Sequence, residues 1–338
     1  MDASTPIALT LGDACGIGPE ILLKAFAGGL PAPCLVLGDP ALLTREAARL
    51  GLPLTVDALD ATSPQPLRGS RGRQVPVLPV ASLPPDLQPG KIDARAGEAA
   101  FRCIEAAAAL ALSAQVRAVV TAPISKEALH RAGHAYPGHT ELLAELAGGV
   151  PVRMMLANDE LRTVLVTIHM ALREALDALS IDGIVETLRI TDAALRRAGL
   201  GAPRIAVAGV NPHAGEGGAF GREEIDIVAP AVAQACALGI DARGPFAPDT
   251  VFMRARGFAE FDVVIAMYHD QGLIPVKYLG LDAGVNITIG LPFVRTSPDH
   301  GTAFDIAGQA GPRGQGLADP ASLLAAIHQA DRLSAPGR

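Results

Sequence analysis

The chain has 338 residues, 35 acidic and 28 basic side chains and a formal net charge of −7. A hydrophobic content of 49% against 19% charged residues excludes a disordered chain, and the length suits about two domains of roughly 150 residues whose cores need no disulfide or structural metal. The acidic balance excludes a broad nucleic-acid or anionic-membrane footprint, yet leaves room for a small anion held by a few local cations.

In chain order, residues 5–11 (TPIALTL) predict a strand, then a loop over GDACGIG and a helix with Pro19 in its first turn. CLVL at 34–37 predicts a second strand, ahead of a helix over ALLTREAARL. The Pro-rich residues 52–92 predict surface connections with short strands. A long amphipathic helix is expected from Ala94 to about Ala114, followed by the strand VRAVVTA. Further strands are expected at Arg162–Ile168, Pro203–Val210 and Asp262–Met267, separated by helical segments. GPRGQGLADPAS reads as a mobile loop before a final helix. Near-continuous apolar strands alternating with helices predict an α/β fold with a largely parallel sheet covered on both faces.

The opening MDASTPIALTLGD lacks the basic-then-apolar pattern of a signal peptide, and no apolar run approaches the ~20 residues of a membrane helix. Cys15, Cys34, Cys103 and Cys236 are scattered without CxxC pairing, so each is expected as a buried reduced thiol. A cytoplasmic protein without membrane or nucleic-acid partners is the expectation.

Three of the eight histidines fall at strand ends. His169 follows RTVLVTI, His213 lies three residues beyond AVAGV, and His269 follows DVVIAMY. Ligands of open α/β sheets bind beyond the carboxyl ends of the strands, and three imidazoles with an open position suit a catalytic divalent metal. A single histidine there would more often bond its own loop; three together favour ligation. Asp249 and Asp270 are either further oxygen ligands, partners that orient an imidazole, or turn residues. In PGHTELLAEL, Thr140 is expected to cap a helix starting near Glu141, which would place an anion-attracting helix end beside His139. Lys277, Asn286 and Arg295 lie in an otherwise apolar, Gly-rich stretch, where the two cations are anion ligands or ordinary surface charges. The loop LGDACGIGPE lacks the GxGxxG spacing, and neither a Walker A nor a GxSxG motif is present.

Together, LGDACGIGPEI, TAPISKEAL, YPGHTELLAEL, VNPHAGEGGAFGREE, YHDQGLIPVKYLG and VNITIGLPFVRTSPDHGTAFDIAG resemble the 4-hydroxythreonine-4-phosphate dehydrogenase family, from about residue 6 to about residue 310. DHGTAFDIAG also resembles the cofactor loop of isocitrate and isopropylmalate dehydrogenases. Two places depart from the family pattern. Ala14 and Cys15 replace Pro and Ala in the first loop, and Ala219 replaces a histidine that some members carry.

The resemblance implies a two-domain α/β/α fold of the isocitrate/isopropylmalate dehydrogenase type with a cleft between domains. Residues 1–126 plus 290–338 would form the first domain and 127–289 the second, which would carry the metal histidines and the dimer interface. It implies a homodimer with the active site at the interface. One divalent metal (Zn, Mg, Mn or Co) would be held by His169, His213 and His269. The substrate, a small phosphorylated hydroxy acid, would be bound by His139, Thr140, Lys277, Asn286 and Arg295. NAD or NADP would lie on a loop at His300, Gly301 and Thr302. Lys277, Asp249 and Asp270 would be the catalytic groups, the two aspartates as contributions across the dimer. The implied reaction is oxidation and decarboxylation of 4-phosphooxy-L-threonine to 3-amino-2-oxopropyl phosphate, for pyridoxal 5′-phosphate synthesis. Several segments also resemble relatives acting on 4-phospho-D-threonate or D-erythronate, with dihydroxyacetone phosphate as product. A phosphate-acetyltransferase-like enzyme or a non-catalytic phosphometabolite-binding protein are the alternatives of another class.

Overall fold

In the computed structural model, which describes residues 4–335 other than 61, 64, 281–283 and 312–313, β1 (Ile7–Thr10) has no exposed residue. It leads through the glycine loop into α1 (Gly18–Gly28), with Pro19 in the first turn as expected. β2 (Cys34–Gly38) precedes α2 (Pro40–Arg49), whose first turn is capped by the Asp39 carboxylate, accepting from the amides of Ala41 and Leu42 at 2.7 and 3.2 Å. The Pro-rich region holds β3 (Thr55–Ala58) and β4 (Gln74–Pro79). Then come α3 (Ala94–Leu112), β5 (Ala118–Thr121), α4 (Lys126–Arg131) and α5 (His139–Leu146).

The chain continues with β6 (Arg153–Ala157), β7 (Arg162–Leu165), α6 (Leu172–Asp177), α7 (Ile181–Arg197), β8 (Ile205–Ala208) and α8 (Ala229–Ala237). β9 (Ala242–Phe246), α9 (Val251–Ala255), β10 (Val263–Ala266), α10 (His269–Tyr278) and β11 (Val285–Ile289) follow. β12 (Val294–Pro298) and α11 (Ala321–Ser334) complete it. Contacts divide the chain into two units, residues 4–150 with 291–335, and residues 151–290. The segment expected to be a mobile loop includes Pro312 and Arg313, which lie outside the described residues.

In the first unit the strands run β3-β4-β2-β1-β5-β12, and every pairing is parallel. The chain leaves β1 toward β2 on one side and returns to β5 on the other, so β1 and β5 flank a switch point, where α/β sheets open a crevice. Side chains alternate across a strand, and β12 shows what covers each face. The Thr296 hydroxyl donates to the Ala326 carbonyl of α11 on one face, while the neighbouring Arg295 bonds Thr121 on the other. Arg117, 4% exposed, fastens α11 to the start of β5, donating to the carbonyl of Thr5, the Ser334 hydroxyl and the Asp331 carboxylate.

In the second unit the order is β11-β6-β7-β10-β8-β9. β6 runs antiparallel to both neighbours, and β7, β10, β8 and β9 are mutually parallel. One face carries a core of Leu165, Ala206, Val264 and Ala266 against Phe252 of α9 and Leu273 and Val276 of α10. Gly272 lets α10 approach: a Cβ there would overlap the side chains of Leu165 and Ala266. On the other face Arg153 of β6 donates to the Thr187 hydroxyl of α7.

Two expectations are corrected. β7 ends at Leu165 rather than Ile168, although Val166 still donates to the Ala266 carbonyl, because the backbone bends toward His169. Cys236 is exposed, near the end of α8, while Cys15, Cys34 and Cys103 are buried as expected. Among the described residues no helix is long and apolar enough to cross a membrane.

Asp13, fully buried after β1, accepts from the Cys15 amide at 2.8 Å, and burial raises its pKa from 3.8 to about 6. The folded chain therefore binds this proton below about pH 6, while the unfolded chain releases it above about pH 4. Across that window this group makes stability fall as pH rises, by at most about 1.4 kcal/mol per pH unit. Asp13→Asn is expected to remove this slope, as checked by urea unfolding of both proteins at pH 4 to 7.

Candidate active site

The parallel strands β7, β10 and β8 are adjacent, so their carboxyl ends and following loops lie side by side. The segment after β7 stays fastened to β10: the Thr167 hydroxyl donates to the Met267 carbonyl at 2.8 Å. His169 ends this segment with φ at 20°. His269 is the first residue of α10, and the two imidazole centroids are 5.6 Å apart. Both line a cavity of about 460 Å³ with Thr167, Met170, Tyr268 and Asp270. His269 Nδ1 is 2.7 Å from Asp270 Oδ1. A proton held on Nδ1 and donated to Asp270 leaves the Nε2 lone pair open as a ligand, the usual carboxylate–histidine arrangement.

His213 lies on the turn after β8, exposed, its ring 6.4 Å from that of Phe220. Gln271 links this loop to the start of α10, since its Nε2 donates to the Gly209 carbonyl and its Oε1 accepts from the Met267 amide, both at 2.7 Å. Two neighbouring imidazoles have the donor chemistry of a divalent-cation site. Among the described residues, however, no group of three His, Cys, Asp or Glu side chains is arranged to hold a metal ion.

Asp249 is exposed ahead of α9 and lines a second cavity, of about 510 Å³, with Met253, Tyr268, Asp270, Ile274 and Tyr278. Lys277 sits in the last turn of α10, about 12 Å along the helix axis from His269 at 1.5 Å per residue. Asn286, on β11, has its Oδ1 enclosed with no hydrogen-bond partner among the described residues.

In the first unit, Arg295 is 2% exposed on β12 and donates from Nη2 to the Thr121 hydroxyl at 2.6 Å. Burial lowers its pKa to about 9, against the pull of Glu141, so the guanidinium remains a cation at pH 7. His139 Nε2 is enclosed without a partner among the described residues. Burial first, and then the Arg295 charge, hold the pKa of His139 well below its ordinary value, so the ring is neutral. The expected Thr140 cap is corrected: α5 begins at His139 after Gly138, so Thr140 lies inside the first turn and its hydroxyl does not cap the helix. Thr10 pairs in register with Thr121, and its hydroxyl is also enclosed and unbonded among the described residues. A buried cation beside enclosed polar atoms is a cradle for an anion.

His300, Gly301 and Thr302 follow β12. The Thr302 carbonyl accepts from the Ile17 amide at 3.0 Å, and Gly16 is needed there because a Cβ would press on Thr302. Gly301 is exposed with open space on its Cβ side, which suits close approach of a ligand to the backbone.

Residues 30–330 match the family model described as pyridoxal phosphate biosynthetic protein PdxA. The chain belongs to the PdxA family. It is 51% identical to a 4-hydroxythreonine-4-phosphate dehydrogenase of Beijerinckia indica, over 98% of this chain and 96% of that protein. It is 47% identical to a D-threonate 4-phosphate dehydrogenase of Pectobacterium atrosepticum, over 97% of this chain and 99% of that one. The crystal structure of 4-hydroxythreonine-4-phosphate dehydrogenase from Klebsiella pneumoniae superposes with a TM-score of 0.89 at 47% identity, covering 98% of this chain and 100% of that one.

In this PdxA-family chain His169 and His269 come together beyond the strand ends, and His139 lies by Arg295. Thr10, Thr121 and Gln271 escaped notice in the sequence. The two threonines read as ordinary β-branched strand residues; polar residues at the ends of otherwise apolar strands were the available signal.

Arg295→Ala is expected to weaken inorganic phosphate binding by about 10–100-fold, or about 1.5–3 kcal/mol for a charged hydrogen bond. Thr121→Val, which keeps the charge but removes one hydrogen bond of the guanidinium, is expected to give a smaller loss. Calorimetric titration of the folded variants measures both.

Proposed function

We propose that the protein is an NAD(P)-dependent, divalent-metal-dependent dehydrogenase that oxidises and decarboxylates 4-phosphooxy-L-threonine, giving 3-amino-2-oxopropyl phosphate. The observation that carries this reading is the pair His169 and His269, the latter against Asp270, beside a cavity at adjacent parallel strand ends. It is supported by membership of a family described as pyridoxal phosphate biosynthetic.

His169, His213 and His269 would hold the cation, which when bound supplies Lewis acidity to the substrate alcohol and to the ketone that follows. Arg295, neutral His139 and Thr140 bind the phosphate, with Thr121 holding the guanidinium in place. Lys277 and Asn286 bind the carboxylate end, and Lys277 is the candidate acceptor of the alcohol proton. Asp270 keeps the His269 ring in one orientation, and Asp249 is a further acid in this set. The loop His300–Thr302 receives the dinucleotide. A dinucleotide held there would supply the hydride acceptor for the carbinol carbon, whose oxidation gives a β-keto acid. Carbon dioxide then departs, its bonding electrons pass through an enol, and a proton returns to that carbon. Exposed Met253, Ile274 and Tyr278, at 75%, 62% and 90%, offer unit 2 an apolar surface for the homodimer contact.

A second reading, oxidation of 4-phospho-D-threonate or D-erythronate to dihydroxyacetone phosphate, is favoured by the relative named D-threonate 4-phosphate dehydrogenase. Incubation with NAD⁺ or NADP⁺, each of Zn²⁺, Mg²⁺, Mn²⁺ and Co²⁺, and each substrate, following absorbance of the reduced nucleotide, separates the two. Substrate-dependent reduction with 4-phosphooxy-L-threonine is expected; reduction with only the threonate or erythronate esters selects the second. His269→Ala is expected to lower the rate by at least ~100-fold while remaining folded. Near-native turnover in that variant after metal add-back defeats the metal role.

A further inference from the structure

We propose that Glu224 is a positioning residue that clamps the left-handed turn carrying His213. The proposal rests on the reading of His213 as a site residue, but its structural half stands on the turn itself. After β8 the chain makes a turn in which His213, Ala214, Gly215, Glu216 and Gly217 have φ of 54°, 53°, 79°, 44° and 65°. Three of these residues carry a Cβ, and a run of left-handed residues is costly for L-amino acids. Such a turn needs a hold from outside itself.

Glu224 supplies that hold. Its side chain is buried, at 2% exposure, and one carboxylate oxygen accepts from the backbone amides of Val210 and Asn211 at 2.6 and 2.7 Å. The other accepts from Asn211 Nδ2 at 2.9 Å. Asn211 is thereby fixed at both backbone and side chain, and its carbonyl accepts from the Ala214 amide at 3.1 Å, which begins the turn. Gly209 and Gly215 leave space for the carboxylate: a Cβ on them would lie 3.0 and 2.7 Å from its two oxygens. Glu224 is also the first residue of a π-helical turn, Glu224–Val228, a departure from α-helical register of the kind that recurs at functional sites. Nothing about this glutamate requires contact with a ligand, which makes it a positioning residue rather than a catalytic one.

The test compares the native chain with Glu224→Ala and Glu224→Gln by hydrogen–deuterium exchange over residues 209–218, the NMR signals of the His213 ring, and kcat and KM. Glu224→Ala is expected to speed exchange at the Val210 and Asn211 amides by about ten-fold or more, as for a local opening, and to shift the His213 signals. It is expected to lower kcat by about 10–100-fold, with a smaller change in KM. Glu224→Gln keeps one oxygen for the two backbone amides and is expected to recover most of the protection and rate; it decides the matter if the alanine variant fails to fold. Native-like exchange and native-like His213 signals in folded Glu224→Ala overturn the proposal. So does equal loss of rate in both variants with an undisturbed turn. A loosened turn with native kcat upholds the clamp and removes His213 from the active site.

Discussion

Parallel pairing of β7, β10 and β8 is the constraint on which the candidate metal side of this protein depends. In a parallel sheet every strand runs in the same direction, so every carboxyl end opens on one edge. A histidine just past each of three adjacent strands is thereby delivered to the same edge without any sequence proximity. His169 and His269 then meet because the chain after β7 continues alongside β10 before turning away. The third histidine is carried by a longer excursion, and it is that excursion which needs Gln271 and Glu224 to hold it.

The second theme is how an acidic chain makes a place for an anion. Net charge of −7 describes the surface field, whereas Arg295 acts over a few ångströms in an enclosed setting where water does not compete. Burial lowers the pKa of both Arg295 and His139, with opposite consequences at pH 7: the guanidinium starts high enough to stay charged, and the imidazole becomes neutral. The result is one permanent cation beside a ring that can exchange a hydrogen bond without adding repulsion. Glu224 shows the converse. Burial pushes its pKa up, yet hydrogen bonds from Asn211 and Val210 outweigh that and hold it below the ordinary glutamate value. Asp13, where burial outweighs the backbone hydrogen bonds it accepts, is pushed up instead.

Much of this was legible along the chain. Short apolar runs ending in Gly, Asn or His marked the buried parallel strands, and Pro19 and the Ala94 helix fell where periodicity and punctuation put them. Even the Pro-rich region yielded its two short strands. The failures were local. Thr140 resembles a cap in sequence, but whether a hydroxyl caps depends on where the first helical residue falls, and here that is His139. Cys236 was expected inside because free thiols usually are, but its place on α8 faces outward.

Sequence alone determined the α/β class, the strand-end placement of the three histidines and the membership of a recognisable family, because these follow from periodicity and ordered motifs read along one dimension. Tertiary structure decided which of those residues meet. It paired His169 with His269, enclosed His139 beside Arg295, made Thr121 the guanidinium's partner and put Glu224 under the His213 turn. The physical reason is that hydrogen bonds and desolvation act across space: residues 174 apart in sequence share one 2.6 Å bond, and no local pattern encodes it.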